Sequence, residues 1–466
     1  MIFLVVFGIA FVGIQYITKT GIFKIPGVVR YDEDSLSPEQ VALLQGIFTD
    51  EVELDKDVTI TSRDTLEYPE LAEGEYIYSI TVPVTDYYDT RSDRNEFDEV
   101  EVIPIEELDF GKKLLGIDGE YYLDTFDKGA YYNVICFDSE KFTDEIKPLV
   151  DEKFSKTWPD KNSVLTMAQT GVTALSRGMN QKLNQVGDAT YFSEYIADYL
   201  KSFDITHTSN EASFSEMANA DNICSDPRFI NLLVDIGLDV VELTGNHNLD
   251  CGAESARNTI DIYTENNIKT VGGGKSADEA RAPLEIRQKD NQITFLAYNL
   301  STGGATLDDT PGANQYVEED AVNNITEAKE RGDVVIVDVQ YYECSAYVSE
   351  TEDATCDYAN SSAGDQIGLF RHLIDLGADI VVGTSAHQPQ TFELYGDGVI
   401  YYGLGNLFFD QAWWPGTTRS LVLAHYFYNN KLLQTRIVPT VYDTNYQTRI
   451  MDSPEWYLKR LINVHP

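Results

Sequence analysis

Two histidines stand in polar runs that follow short apolar segments. His247 lies in Gly245-Asn246-His247-Asn248-Leu249-Asp250-Cys251-Gly252, and His387 in Gly383-Thr384-Ser385-Ala386-His387-Gln388-Pro389-Gln390. Imidazole, amide and carboxylate groups gathered in this way ligate a hard or borderline cation through N and O, or move a proton. Four more runs are of the same kind: residues 171–177 ending at Arg177, Ser209-Asn210-Glu211, Gln340-Tyr341-Tyr342-Glu343, and residues 403–411 with Asn406, Asp410 and Gln411. Glu211, Asn246, His247, Gln340 and His387 together make a donor set for one divalent ion. A two-ion site is the weaker expectation, because it needs several His and a carboxylate bridging ions about 3.5–4 Å apart, and the chain has only 6 His. With an ion bound, Glu211 would ligate it or act as a base on bound water, and Asp250 would orient His247 from behind. Arg177 would neutralise a substrate carboxylate or phosphate; its alternative is a structural ion pair. His372, in a helix pattern, and His425, in a strand-like run, read as structural, while His207 stays open between the two roles.

The elements that must position these groups alternate between strand and helix from residue 164 onward. Residues 228–238 place Phe229, Leu232, Leu233 and Ile236 on one helical face, and the buried strand 239–243 follows. Residues 366–376 form a second such helix, closed by Gly377, before the strand 378–382. Strands are also expected at 333–339 and from 399. Polar residues grouped just beyond strand ends are how a layered α/β protein builds a site. Gly272-Gly273-Gly274-Lys275-Ser276 has the wrong spacing for a phosphate loop and reads as a tight turn. Trp413 and Trp414 form either an aromatic lip for a polymer or a cap on the core. No Gly-x-Ser-x-Gly run supports Ser-His-Asp chemistry, and no short repeat is present.

The chain has 466 residues, enough for two or three domains, with 43% hydrophobic and 24% charged residues, which excludes a disordered polymer. Acidic residues outnumber basic ones 77 to 34, a formal charge of -43. That field repels a phosphate backbone, so nucleic acid is excluded as a partner, and a polyanionic substrate would need a metal ion or local basic groups. Residues 2–17 are almost continuously apolar and are expected to be an uncleaved membrane anchor within 1–20. Lys19, Lys24 and Arg30 follow this segment, and on charge alone would keep the body in the cytoplasm. Residues 31–160 form a strongly acidic accessory α/β module, with strand-like runs at 76–84 and 129–137, joined by a linker near 158–163. The five cysteines do not make a disulfide scaffold. Cys344 and Cys356 are the preferred pair, Cys224 and Cys251 the weaker one, and Cys136 is expected to be a buried thiol.

The motifs Gly-Asn-His-Asn-x-Asp-x-Gly at 245–252, Gly-x-x-x-His at 383–387 and Tyr-Gly-Leu-Gly-Asn-x-x-Phe-Asp-Gln at 402–411 resemble those of the CapA-type capsule synthesis proteins. The resemblance covers about 164–438. It implies a calcineurin-like metallophosphoesterase sandwich (α/β/β/α) over 164–440, followed by a C-terminal extension at 441–466. It also implies a role in poly-γ-glutamate-type surface polymer synthesis or export. By the same resemblance Asn210, Asn406 and Gln411 join Arg177 as substrate-binding residues, and Glu343 joins Glu211, His247 and Asp250 as catalytic. The expected partners are an anionic surface polymer, the membrane and other capsule-synthesis membrane proteins, with the body outside the cell. This sequence departs from the family pattern at Val172, where a carboxylate is expected, and at Gln340 and Ser385, where the family has His. These departures keep three readings in play: a polymer-handling protein whose metal-dependent hydrolase site is degenerate, a non-catalytic binding or assembly subunit, and a metal-dependent phosphoesterase.

Overall fold

The structure is a computed structural model that describes residues 29–31, 40, 44, 58–66, 68–73, 75–137, 147–154, 158–300, 303–306, 308–341, 366–412 and 415–462. The apolar segment 2–17, Glu343, Cys344, Cys356, Trp413 and Trp414 lie outside the described residues, and the expectations placed on them lie outside with them. Among the described residues no helix is long and apolar enough to cross a membrane. The chain divides into two units. The first comprises Met1–Val84, Asp93–Glu107 and Leu114–Pro159; the second comprises Thr85–Ser92, Leu108–Lys113 and Asp160–Pro466. The second unit thus takes in two segments that the sequence reading assigned to the acidic module.

The first unit is built on a six-stranded sheet whose long strand Glu75–Asp86 pairs antiparallel with Tyr131–Phe137 and with Glu101–Pro104. Its buried apolar residues include Ile80, Val82, Tyr132 and Val134. Cys136, expected to be buried, is only half-buried. Strand alternation turns it to one face of this interior strand, beside its cross-strand partner Glu75, whose Oε1 lies 3.4 Å from its Sγ.

The second unit carries two large sheets, besides a two-stranded pairing of Gly273–Gly274 with Gly312–Ala313. Its strands, numbered within this unit, are β1 Leu165–Thr173, β2 Ile205–Asn210, β3 Val240–Glu242, β4 Lys269–Val271, β5 Leu284–Gln288, β6 Asn291–Asn299, β7 Val334–Gln340, β8 Ile380–Gly383, β9 Phe392–Tyr395, β10 Gly398–Tyr401, β11 Asn406–Phe408, β12 Arg419–Tyr428, β13 Lys431–Tyr442 and β14 Thr448–Ile450. The first sheet runs β4-β3-β2-β1-β12-β13-β14, with β11 also paired to β1. Strands β4, β3, β2 and β1 are parallel neighbours, and β12 to β14 are antiparallel. The second runs β5-β6-β7-β8-β10-β9, with β6, β7, β8 and β10 parallel.

Side-chain alternation decides which layer each residue enters. Along β7, Val334 and Ile336 join the core between the sheets, while Val335, Val337 and Val339 pack with Phe370, Leu373 and Ile374 of the helix Gln366–Asp375. Along β3, Val240 faces the inter-sheet core and Val241 faces the helices on the other side, including Tyr263 of the helix Ala253–Glu265. The result is four layers, helix, sheet, sheet, helix, a mixed α/β architecture. The residues after β14 belong to it: Tyr457 and Leu461 of the helix Glu455–Ile462 enter the inter-sheet core.

The same alternation loads the inter-sheet layer with polar groups toward the carboxyl ends of the parallel strands. Gln169, His207, Glu242, Asp338 and His425 are all buried there. His207 Nε2 lies 3.0 Å from Asp338 Oδ2, and Gln169 Nε2 donates to Asp338 Oδ1 at 2.7 Å. The Gln169 carbonyl oxygen therefore faces His425 Nε2 at 3.2 Å, and His425 Nδ1 accepts from Thr435 Oγ1 at 2.8 Å. His207, left open by the sequence, thus belongs to a buried network stacked on Phe295. His372 pairs with Glu318 on the outer helices, 2.7 Å away.

Two sequence readings change. Cys224 and Cys251, the weaker candidate pair, form a disulfide with Cα atoms 5.9 Å apart, because the loops after β2 and β3 run side by side. Gly272 does turn, with φ of 70°, but Gly273–Gly274 then pairs antiparallel with Gly312–Ala313 rather than closing a simple turn.

Candidate functional site

The carboxyl ends of β2, β3, β7 and β8 converge, and this convergence brings Glu211, Asn246, Gln340, Ser385 and His387 together. Glycine makes the approach possible at two points. A Cβ on Gly245 would stand 2.6 Å from Glu211 Cα, so the turn after β3 touches the end of β2 only without a side chain. A Cβ on Gly171 would stand 2.0 Å from Gly405 O, so β1 and the turn before β11 close only over glycine.

Gln340 sits at the centre. Its Nε2 donates toward Asn246 Oδ1 at 3.1 Å and Ser385 Oγ at 3.2 Å, with Glu211 Oε1 at 3.4 Å. Thr384 Oγ1 donates to its carbonyl oxygen at 3.4 Å. Glu211 is 1% exposed, and its Oε2 lies 4.0 Å from His387 Nε2. Burial pushes the His387 imidazole down to about 4, and the neighbouring His247 and Arg177 add to the effect while its Asn406 hydrogen bond opposes it, so His387 is neutral at physiological pH. His387 Nδ1 lies 2.9 Å from Asn406 Oδ1, and the ring centroid is 5.3 Å from that of Phe409. His247 is 31% exposed, and its Nδ1 lies 2.8 Å from Asp250 Oδ2, the orienting contact that the sequence reading expected.

The remaining sequence candidates fall elsewhere. Asn210 is one residue out of phase with Glu211 on β2 and faces the helix layer, where its Nδ2 bonds Ala212 O at 3.1 Å and Tyr263 Oη at 2.9 Å. It is buried and its amide is engaged within the fold. Asn406 is likewise buried, with its Nδ2 donating to Thr417 O at 3.0 Å and Gln411 Oε1 at 3.2 Å. Arg177 grips Asp410 through Nε at 3.0 Å and Nη2 at 2.5 Å, with its guanidinium 4.7 Å from the Phe409 centroid. Its backbone φ of 49° is a left-handed conformation that a side chain of this size adopts only under constraint. Asp410 also accepts from Gly178 N at 2.9 Å, capping the helix Gly178–Val186. The ion-pair alternative for Arg177 is therefore the arrangement present. Sequence reasoning passed over Phe409, Thr384 and Thr417; Phe409 and Thr384 lay inside the quoted motifs, and Thr417 carried no signal because its backbone oxygen is what holds Asn406.

The donor set decides what ion these residues fit. Two ions do not fit: the β1 position beside the site is the buried Val172, and the amide of Gln340 already joins Asn246 to Ser385. Among the described residues no group of three or more His, Cys, Asp or Glu could hold a metal ion. A single ion would need neutral help, with Glu211 Oε2 and His387 Nε2 as the two strong ligands and Asn246 Oδ1 as a neutral oxygen.

A mixed α/β protein with its polar site beyond the strand ends is the class that the fold defines. The profile of the bacterial capsule synthesis protein PGA_cap matches residues 166–411, more than half of the chain, and the chain belongs to that family. It is 24% identical over 279 residues to the capsule biosynthesis protein CapA of Bacillus anthracis, covering 57% of this chain and 64% of that relative. It is 26% identical over 283 residues to the PGA biosynthesis protein CapA of Bacillus subtilis (strain 168), covering 58% and 69%. A probable polyglutamine synthesis accessory protein of Mycobacterium tuberculosis is 25% identical over 181 residues, 36% of this chain and 44% of that one. The matched stretch thus spans less than two thirds of the Bacillus anthracis protein. The crystal structure of TT1561 of Thermus thermophilus aligns over 57% of this chain and 100% of its own, at 11% identity and a TM-score of 0.33.

Proposed function

We propose that this protein acts in the synthesis or export of an anionic surface polymer of the poly-γ-glutamate type, and that it binds the polymer at the strand-end site. The four-layer order and the strand-end placement of Glu211, Asn246, His247 and His387 support reading the second unit as a calcineurin-like metallophosphoesterase sandwich. The observation that carries the functional reading is the donor set: one carboxylate and one neutral imidazole face each other across 4.0 Å, with Gln340 cross-linking the oxygens beside them. Glu211, His387 and Asn246 would hold one divalent cation. When bound, that cation supplies positive charge to which a polymer carboxylate coordinates, offsetting the -43 charge of the chain. His247, oriented by Asp250, contributes a partly exposed nitrogen at the rim, and the Gln340 amide holds Asn246 in place.

Val172 and the Gln340 bridge favour polymer binding, as a non-catalytic binding or assembly subunit, over phosphoester hydrolysis. The body stands outside the cell on an anchor at residues 2–17; the Cys224–Cys251 disulfide supports this, because disulfides persist in oxidising compartments. Protease treatment of intact cells tests that placement, and a protected body refutes it.

The site is tested with protein purified without chelators. Elemental mass spectrometry is expected to find about one ion per chain, lost in the His247→Ala/His387→Ala double variant. Poly-γ-glutamate is expected to bind in a manner that needs the ion, with no turnover of a generic phosphodiester. Phosphodiester hydrolysis that depends on His387 would replace this reading with the phosphoesterase one.

A further inference from the structure

Asn406 lies in a motif that draws attention as a substrate contact, yet its side chain is buried and spent inside the protein, and the direction of its bonds carries a consequence. Its Nδ2 lies 3.0 Å from the backbone oxygen of Thr417. A carbonyl only accepts, so the NH2 end of the amide must face Thr417 and the oxygen end must face His387 Nδ1, 2.9 Å away. The anchor is itself held: Tyr442 Oη donates to the same carbonyl at 2.9 Å, and Thr417 Oγ1 donates to Gln411 O. Gln411 turns its own amide oxygen to Asn406 Nδ2 at 3.2 Å, a second acceptor that agrees with the first. An amide oxygen opposite Nδ1 requires a proton on Nδ1.

We infer that Asn406 is a positioning residue, which fixes His387 as the Nδ1–H tautomer and aims the lone pair of Nε2 at Glu211 Oε2. A lone pair facing a carboxylate oxygen across 4.0 Å is an electron-rich gap, and such a gap favours a cation. Phe409 packs on the imidazole and resists rotation of the ring out of this pose. Asn406 therefore acts on the ion through His387, at one remove from the polymer. The ligand named here rests on the cation reading given above, whereas the tautomer does not.

The test separates the two. Nitrogen-15 NMR of the full chain labelled at histidine, with His387→Gln for assignment, reads the tautomer directly, and Mn2+ titration reads the cation site. The wild-type His387 is expected to carry its proton on Nδ1. Asn406→Leu, which removes the acceptor, is expected to release that preference and weaken Mn2+ binding about 10–100-fold. Asn406→Asp keeps an acceptor for Nδ1 but loses both donor bonds, so it is expected to be less stable yet to retain the Nδ1–H tautomer. A purely structural role for Asn406 predicts that the Leu and Asp variants behave alike. A wild-type His387 protonated on Nε2 overturns the inference, and so does an unchanged tautomer in Asn406→Leu. If the Leu variant does not fold, the wild-type spectrum and the Asp variant decide, and an Nε2–H signal in either is contrary. An Nδ1–H tautomer in a protein that binds no Mn2+ upholds the positioning role and removes the cation reading.

Discussion

Replacing Glu242 by Gln probes the layer beneath the site, where a carboxyl is buried without a cation. Glu242 is 0% exposed at the end of β3, its Oε1 accepts from the N–H and hydroxyl of Thr244, and burial pushes it up to about 7, with the charge of Asp338 adding to the effect. The folded protein therefore keeps a proton that the unfolded chain releases near 4.5. Across that window the native state binds more protons than the unfolded state, so stability falls as pH rises from about 4.5 to about 7 and then stays at its lower value. At 1.36 kcal/mol per pH unit the loss amounts to roughly 3 kcal/mol. Gln keeps an acceptor for Thr244, removes the titration and offers an N–H toward Asp338. Urea unfolding of both proteins between pH 5 and pH 8 isolates the titration of Glu242 together with its interaction with Asp338, because titrating groups that do not interact with Glu242 cancel in the difference. The variant is expected to gain on the wild type as pH rises, by roughly 2–3 kcal/mol at pH 8. A difference that does not change with pH would refute the reasoning, since it would mean that Glu242 does not carry the buried proton.

Other consequences are as direct. Gly171→Ala forces a Cβ to within 2.0 Å of Gly405 O and is expected to cost about 3 kcal/mol or more, measured by chemical denaturation. Breaking the Cys224–Cys251 bond, which spans 27 residues, is expected to cost about 3–4 kcal/mol and to lower the melting temperature in reductant. Asp410→Asn removes the charge that Arg177 and the N–H of Gly178 share, and a loss of about 1.5–3 kcal/mol is expected in the same denaturation assay. His247→Ala, at a partly exposed rim position, is expected to change stability by less than about 1 kcal/mol while removing ion-dependent polymer binding. Retained binding with an unaltered circular dichroism spectrum would take His247 out of the site.

Much of the site could be read in the sequence because its residues follow strands. The runs at the ends of β2, β3, β7 and β8 each begin where an apolar strand ends, so Glu211, Asn246, Gln340 and His387 could be grouped without knowing the sheet order. The run after β2 also shows the limit of this reading. Asn210 and Glu211 are adjacent in sequence and equally polar, but a strand turns successive side chains to opposite faces, so one supports Tyr263 and the other faces His387. Deciding between them required the register of the strand against both layers. Arg177 was legible only as an alternative between substrate contact and ion pair. Its partner, Asp410, lies 233 residues further along the chain, too far for any local pattern to join them.

By itself the sequence determined the family, through three motifs whose order and spacing it carries. It also determined the strongly acidic net charge, and the strand and helix alternation of the second unit, through apolar periodicity. The tertiary structure alone decided the disulfide between Cys224 and Cys251, the inter-sheet network from His207 to Thr435, and the direction of the Asn406 amide. Each of these depends on which loop lies beside which, or on which atom can only accept a hydrogen bond. Long-range adjacency of this kind is set by packing two sheets face to face, a property of the assembled layers that no local stretch of chain contains.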